Sequence, residues 1–231
     1  MAMLRRELLK MSAAFALAGF QGAKAAEATE DGFCRPTDPL QALMDGNKRF
    51  SSSWREAMRN PDATLSQQLH GNRCFNAPAA LIESQQPWAT VLTCADSRVS
   101  PSWIFDTTPG ELFVIRSAGN TAFDEAIASI EYSISVLRSP LLMVMGHSGC
   151  GAVAAALSET SLTPSLERLI TPIRDQIDGS SRLDDAVRRN ARGAAVNLRE
   201  SSDLLRQSET DGTLKLVVSY FDLSSGLVSL I

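Results

Sequence analysis

Two short segments concentrate the side chains able to do chemistry. Cys94-Ala95-Asp96-Ser97-Arg98 sets a thiol, a carboxylate and a guanidinium at alternate positions, and an extended backbone with a period of two sends all three to one side. Gly146-His147-Ser148-Gly149-Cys150-Gly151 offers an imidazole and a second thiol three residues apart, among three glycines that permit a tight turn. Two thiolates and one imidazole suit a borderline-soft tetrahedral ion such as zinc. Three protein ligands leave a fourth position for water, which marks a catalytic rather than a structural site. Cys94, His147 and Cys150 are therefore the candidate ligands of one zinc ion per chain. A closed structural site would need another Cys or His nearby, and His70, Cys34 and Cys74 lie far from both clusters in sequence.

Each cluster follows an apolar run. Four such runs, at 89–93, 111–115, 141–145 and 214–220, lack alternation and are bounded by turn residues, the pattern of strands buried on both faces. Helical periodicity fills the intervals at 124–137, 151–157 and 182–207, and it also covers 77–84 and the stretch from Asp38, where Leu40, Leu43, Met44 and Phe50 share a face. Strand alternating with helix predicts an α/β fold around a mostly parallel central sheet. A last run at 227–231, after Ser224-Ser225-Gly226, can return as an edge strand through a hairpin. Both clusters would then sit beyond the carboxyl ends of parallel strands, where open α/β sheets place their active sites.

The paired motifs Cys94-x-Asp96-Ser97-Arg98 and His147-x-x-Cys150-Gly151 resemble the signature of the β-class carbonic anhydrases. The likeness runs on through Pro109-Gly110-Glu111-Leu112-Phe113-Val114-Ile115-Arg116-Ser117-Ala118-Gly119-Asn120 and Ser129-Ile130-Glu131-Tyr132. It reaches back to Leu40-x-x-Leu43-x-x-Gly46-Asn47-x-x-Phe50 and forward to Asp222-Leu223-x-x-Gly226. The resemblance implies reversible hydration of CO2 to bicarbonate and a proton by hydroxide formed at the zinc. In it Asp96 and Arg98 form a catalytic dyad, with the guanidinium keeping the carboxylate off the metal. Gln85 would hold a substrate oxygen, Phe113 would wall the CO2 pocket, and the Gly151 N–H would sit near bicarbonate. It further implies a homodimer or higher homo-oligomer, with projecting N-terminal helices from about residues 38–76 wrapping the partner. Some family members are inhibited by bicarbonate through a Trp and a Tyr. The matching positions here are Val91 and Phe221, which with Gln85 points to weak bicarbonate regulation. Ser117 replaces an Asn more usual in the family, a change that touches no catalytic role.

The rest of the chain bounds this reading. Its 231 residues, 44% hydrophobic and 21% charged, are enough for one globular domain. A net charge of −4 without any basic stripe gives no ground for nucleic-acid binding. Arg5-Arg6, an apolar run at 11–20 and Ala23-Lys24-Ala25 resemble a twin-arginine export signal, too short for a stable membrane anchor. The expected organisation is thus a signal at 1–25, a polar linker at 26–37 and the β-carbonic anhydrase domain at 38–231, delivered to the periplasm or a thylakoid lumen. Cys34 and Cys74 read as unpaired thiols more readily than as a pair, and His70 as a surface residue. Gly146-x-Ser148 falls short of a hydrolase elbow because Cys150 stands where a second Gly is needed and no histidine follows. A phosphate loop would need a Lys that this one lacks. Two alternatives keep the zinc: a non-catalytic zinc-binding assembly protein of the same fold, and a hydrolase of a related small molecule such as carbon disulfide.

Overall fold

In the computed structural model, the described residues are 27–28, 30–60, 62, 74–158, 161–179 and 182–231. The export-signal residues and His70 lie outside them. The chain opens with a small antiparallel pair, β1 (Glu27–Ala28) and β2 (Cys34–Arg35), before helix α1 (Pro39–Arg59). Asp38 caps α1 by accepting a hydrogen bond from Gln41 N at 3.0 Å, and Pro39 occupies its first turn, where a missing N–H costs nothing. Helix α2 (Pro78–Glu83) then leads to β3 (Ala89–Cys94), α3 (Pro101–Ile104), β4 (Leu112–Ser117), α4 (Asp124–Ser135) and β5 (Leu141–His147). Helices α5 (Gly151–Leu157), α6 (Pro164–Arg174), α7 (Leu183–Ser201) and α8 (Asp203–Thr210) precede β6 (Lys215–Asp222) and β7 (Leu227–Leu230).

The five long strands form one sheet in the order β4-β3-β5-β6-β7, parallel except for β7, which returns antiparallel to β6. Strands β3 and β5 are buried along their whole length, because α1 and α3 cover one face and α4 and α7 the other. β4 departs from the expected full burial. It is an edge strand, and Val114 and Arg116 are exposed on it. The predicted helix at 182–207 is two helices: Ser202 leaves helical geometry and caps α8 by accepting from Leu205 N at 3.2 Å.

The segment expected as a free linker is partly built into the fold. Phe33 and Cys34 are buried, and Cys34 forms a disulfide with Cys74 across a Cα–Cα distance of 5.8 Å. The expectation of unpaired thiols is overturned here, since the two cysteines, 40 positions apart in sequence, meet in the fold. Asn76 explains the return: its Oδ1 accepts from Cys34 N at 2.7 Å, and its Nδ2 donates to Pro109 O at 2.8 Å. Helix α1 is anchored on its own protomer's core, since buried Asn47 donates to Gly226 O and accepts from Val228 N.

Candidate metal centre

Register fixes the level of the site. Cys94 ends β3 opposite Ser117 of β4, and His147 ends β5 opposite Phe221 of β6. Cys150 follows in the turn that opens α5. Of the three glycines expected to make this turn, only Gly149 takes a positive φ, +64°. Gly146 lies inside β5, where a Cβ would meet Val187 Cγ1 at 2.9 Å, so its missing side chain lets α7 close on the strand. Gly151 is the first residue of α5, and open space lies over its Cα.

The three ligand atoms lie within 4.8 Å of one another and all three residues are buried. The two sulfurs are 3.9 Å apart. His147 Nδ1 is 2.9 Å from the Ser148 carbonyl, which can only accept, so Nδ1 carries the proton and Nε2 presents a lone pair. That Nε2 is buried and has no hydrogen-bond partner. A buried orphan nitrogen facing two thiols is costly unless something binds there. The donor set and the orphan atom both fit a zinc ion.

The two thiols titrate as a pair. The Cys150 S–H donated to Cys94, together with the N–H groups of Gly119 and Asp96, lowers the Cys94 thiol well below its ordinary value against the pull of burial. Cys150 is pushed up, because its proton is the one held between the two sulfurs and burial adds to the effect.

Beside the triad, Asp96 and Arg98 form a forked pair. Arg98 Nε and Nη2 donate to Asp96 Oδ1 and Oδ2 at 2.9 and 2.7 Å, and Arg98 N donates to Oδ1 at 2.9 Å. These bonds hold the carboxyl well below the usual carboxylate range. Asp96 Oδ2 remains 3.9 Å from His147 Nε2. Arg98 also donates to Gly149 O at 3.3 Å, joining the two motif loops. Arg116, which carried no role in the sequence reading, donates to the carbonyls of Cys94 and Asp96 at 3.0 and 2.6 Å.

A profile of the carbonic anhydrase family matches residues 89–228. The chain belongs to the carbonic anhydrase family. It is 33% identical to a carbonic anhydrase of Mycolicibacterium smegmatis over 205 residues, covering 84% of this chain and 93% of the relative. It is 30% identical to carbonic anhydrase 2 of Mycobacterium tuberculosis, over 83% of this chain and 90% of that one. The fold matches a β-carbonic anhydrase of Sordaria macrospora, described as tetrameric, with a TM-score of 0.61 at 21% identity, covering 83% and 96% of the two chains. The expected α/β fold of the β class is thereby established.

Two expected substrate residues of this carbonic anhydrase are not at its own triad. Gln85 precedes β3, and the strand alone puts about 17 Å between Ala89 and Cys94. It lines a cavity of about 480 Å³ with Arg35, Trp88 and Arg138, at the amino ends of β3 and β5. Phe113 pairs with Thr90, about 13 Å below the level of Cys94, and packs on Tyr132 with ring centroids 6.3 Å apart.

Proposed function

We propose that the chain is a zinc-dependent β-class carbonic anhydrase, in which Cys94, His147 and Cys150 hold the ion and Asp96 and Arg98 serve the reaction CO2 + H2O to bicarbonate and a proton. The observation that carries this reading is the buried Cys-His-Cys cluster with the Asp96–Arg98 fork against it. The chemistry supplied there by zinc is Lewis acidity, which makes water a nucleophile at neutral pH. The chain supplies the rest. Asp96 is ionised and its carboxylate oxygens keep lone pairs free of the Arg98 fork, so Oδ2 can accept the O–H of the attacking water and orient it. Arg98 holds that carboxylate still. The open space over Gly151 leaves room for substrate.

Homo-oligomerisation follows from what the protomer leaves undone. The β4 edge is unpaired in the sheet, and Val114, Tyr132 and Val136 expose apolar surface along it and on α4 and its C-cap. Gln85 and Phe113 lie too far from their own triad to touch its substrate, so each serves the site of a partner across a dimer interface. Export is supported by the N-terminal pattern and by the Cys34–Cys74 disulfide, which persists in an oxidising compartment. We place a cleaved signal at 1–25 and, after the segment 26–37, the domain at 38–231, in the periplasm or a thylakoid lumen. Val91 and Phe221 are both buried in the apolar core, while the one phenol nearby, Tyr220, faces the other way and donates to Asp184. That arrangement favours weak bicarbonate regulation.

Stopped-flow CO2 hydration by chelator-stripped and zinc-restored protein tests the activity. Restoration with zinc is the expected result; full zinc occupancy without hydration would leave a zinc-binding assembly protein. Export is checked by Arg5→Lys with Arg6→Lys, for which retention in the cytoplasm is expected and undiminished export would count against it.

A further inference from the structure

The Cys94 sulfur accepts two backbone hydrogen bonds. Gly119 N donates to it at 3.3 Å and Asp96 N at 3.4 Å. The second donor is two residues along the same loop, but the first comes from another element, the 3-10 turn Ala118–Asn120 after β4. Gly119 holds a φ of +71°, and a Cβ there would meet Ile173 Cδ1 at 2.5 Å. The turn is thus wedged against α6 on one side. On the other, buried Asn190 of α7 donates its Nδ2 to the Gly119 carbonyl at 2.8 Å. Among the described residues Asn190 and the Cys94 sulfur are the side chains bonded to Gly119 itself; Ser117 and Thr121 tie down its neighbours.

We propose that Asn190 is a positioning residue for the metal centre: by fixing the Gly119 carbonyl it aims the Gly119 N–H at the Cys94 sulfur and so limits the charge that ligand gives the ion. An N–H bond to a thiolate withdraws electron density from sulfur, and partners one bond behind a ligand tune a metal as strongly as they orient it. Without it, Cys94 becomes a stronger donor and the ion a weaker Lewis acid. The inference rests on the reading that the triad holds zinc. Helix α7 provides its own control, since Asn197 makes the same kind of bond to the Ala122 carbonyl at 3.2 Å but has no path to sulfur.

The test is nuclear magnetic resonance of the full chain loaded with cadmium-113 in place of zinc, with the pH profile of CO2 hydration of the zinc form alongside. In the unmodified protein, scalar coupling is expected from cadmium to the Cys94 β-protons and, through the hydrogen bond, to the Gly119 amide proton. Asn190→Ala should abolish or at least halve the second coupling and move the midpoint of the pH profile alkaline by roughly 0.3–1 unit. Asn197→Ala should change neither. Should Asn190→Ala not fold, Asn190→Ser, polar but too short to reach the carbonyl, is measured in the same way. Cys94 coupling without any Gly119 coupling in the unmodified protein would overturn the proposal and leave the zinc site standing. So would an Asn190 variant with both readouts unmoved, or an Asn197 variant that moves them equally. Absence of the Cys94 coupling itself would instead sink the metal-site reading.

Discussion

Asp96 combines a charge, a hydrogen-bond acceptor and a lock. Its three bonds from Arg98 fix the carboxylate in one orientation and depress its proton affinity, which favours the ionised form. Asp96→Asn preserves shape but removes the charge and one acceptor. It is predicted to lower kcat for CO2 hydration by about 10²–10⁴-fold, the usual worth of a placed acid–base group, at unchanged zinc content. Rates within twofold of the unmodified enzyme would remove Asp96 from the reaction. The candidate metal ligands Cys94, His147 and Cys150 were legible because residue type and spacing both carried chemistry. Gln85 and Phe113 were legible only as family positions; their distance from Cys94 within one chain is set by the strand Ala89–Cys94 and by the pairing of Phe113 with Thr90. Asn190 and Arg116 gave no signal: a lone Asn in an amphipathic helix and an Arg in an edge strand look like solvated residues until the carbonyls they meet are known.

The elements were read well where apolar runs were long. All four parallel strands and the returning β7 lie within a few residues of their expected places. Helix α6 went unread despite a Thr163 cap and Pro164 in its first turn, because its apolar stripe is short and Pro172 interrupts it. The disulfide was illegible for a different reason: proximity of Cys34 and Cys74 depends on Asn76 bridging two loops. The contact of α7 with β5 through Gly146 is what holds the His147 end of the sheet in place. Gly146→Val would drive a side chain into Val187 and Ala191. A loss of roughly 1–3 kcal/mol in chemical denaturation is expected, with zinc affinity falling in step. Unchanged stability would mean that the helix tolerates a wider gap than its packing suggests.

For the molecule as a whole, the proposed function makes the protomer complete as a metal site but incomplete as a substrate site. Assembly is therefore predicted to affect turnover. Val114→Arg puts a charge on the exposed β4 edge, which a partner would have to bury. Analytical ultracentrifugation should show dissociation to monomers that retain zinc while CO2 hydration falls at least tenfold. Monomers with full activity would show that Gln85 and Phe113 have no part in a partner's site. Among the described residues no helix is long and apolar enough to cross a membrane.

The central claim is that Cys94, His147 and Cys150 hold a zinc ion on which CO2 hydration depends. Zinc content and CO2 hydration measured on the same preparations of the unmodified chain and Cys94→Ala test it most directly. One zinc per chain with rapid hydration is expected for the first, and neither for the second. Full hydration by Cys94→Ala, or by unmodified protein free of zinc, would contradict it.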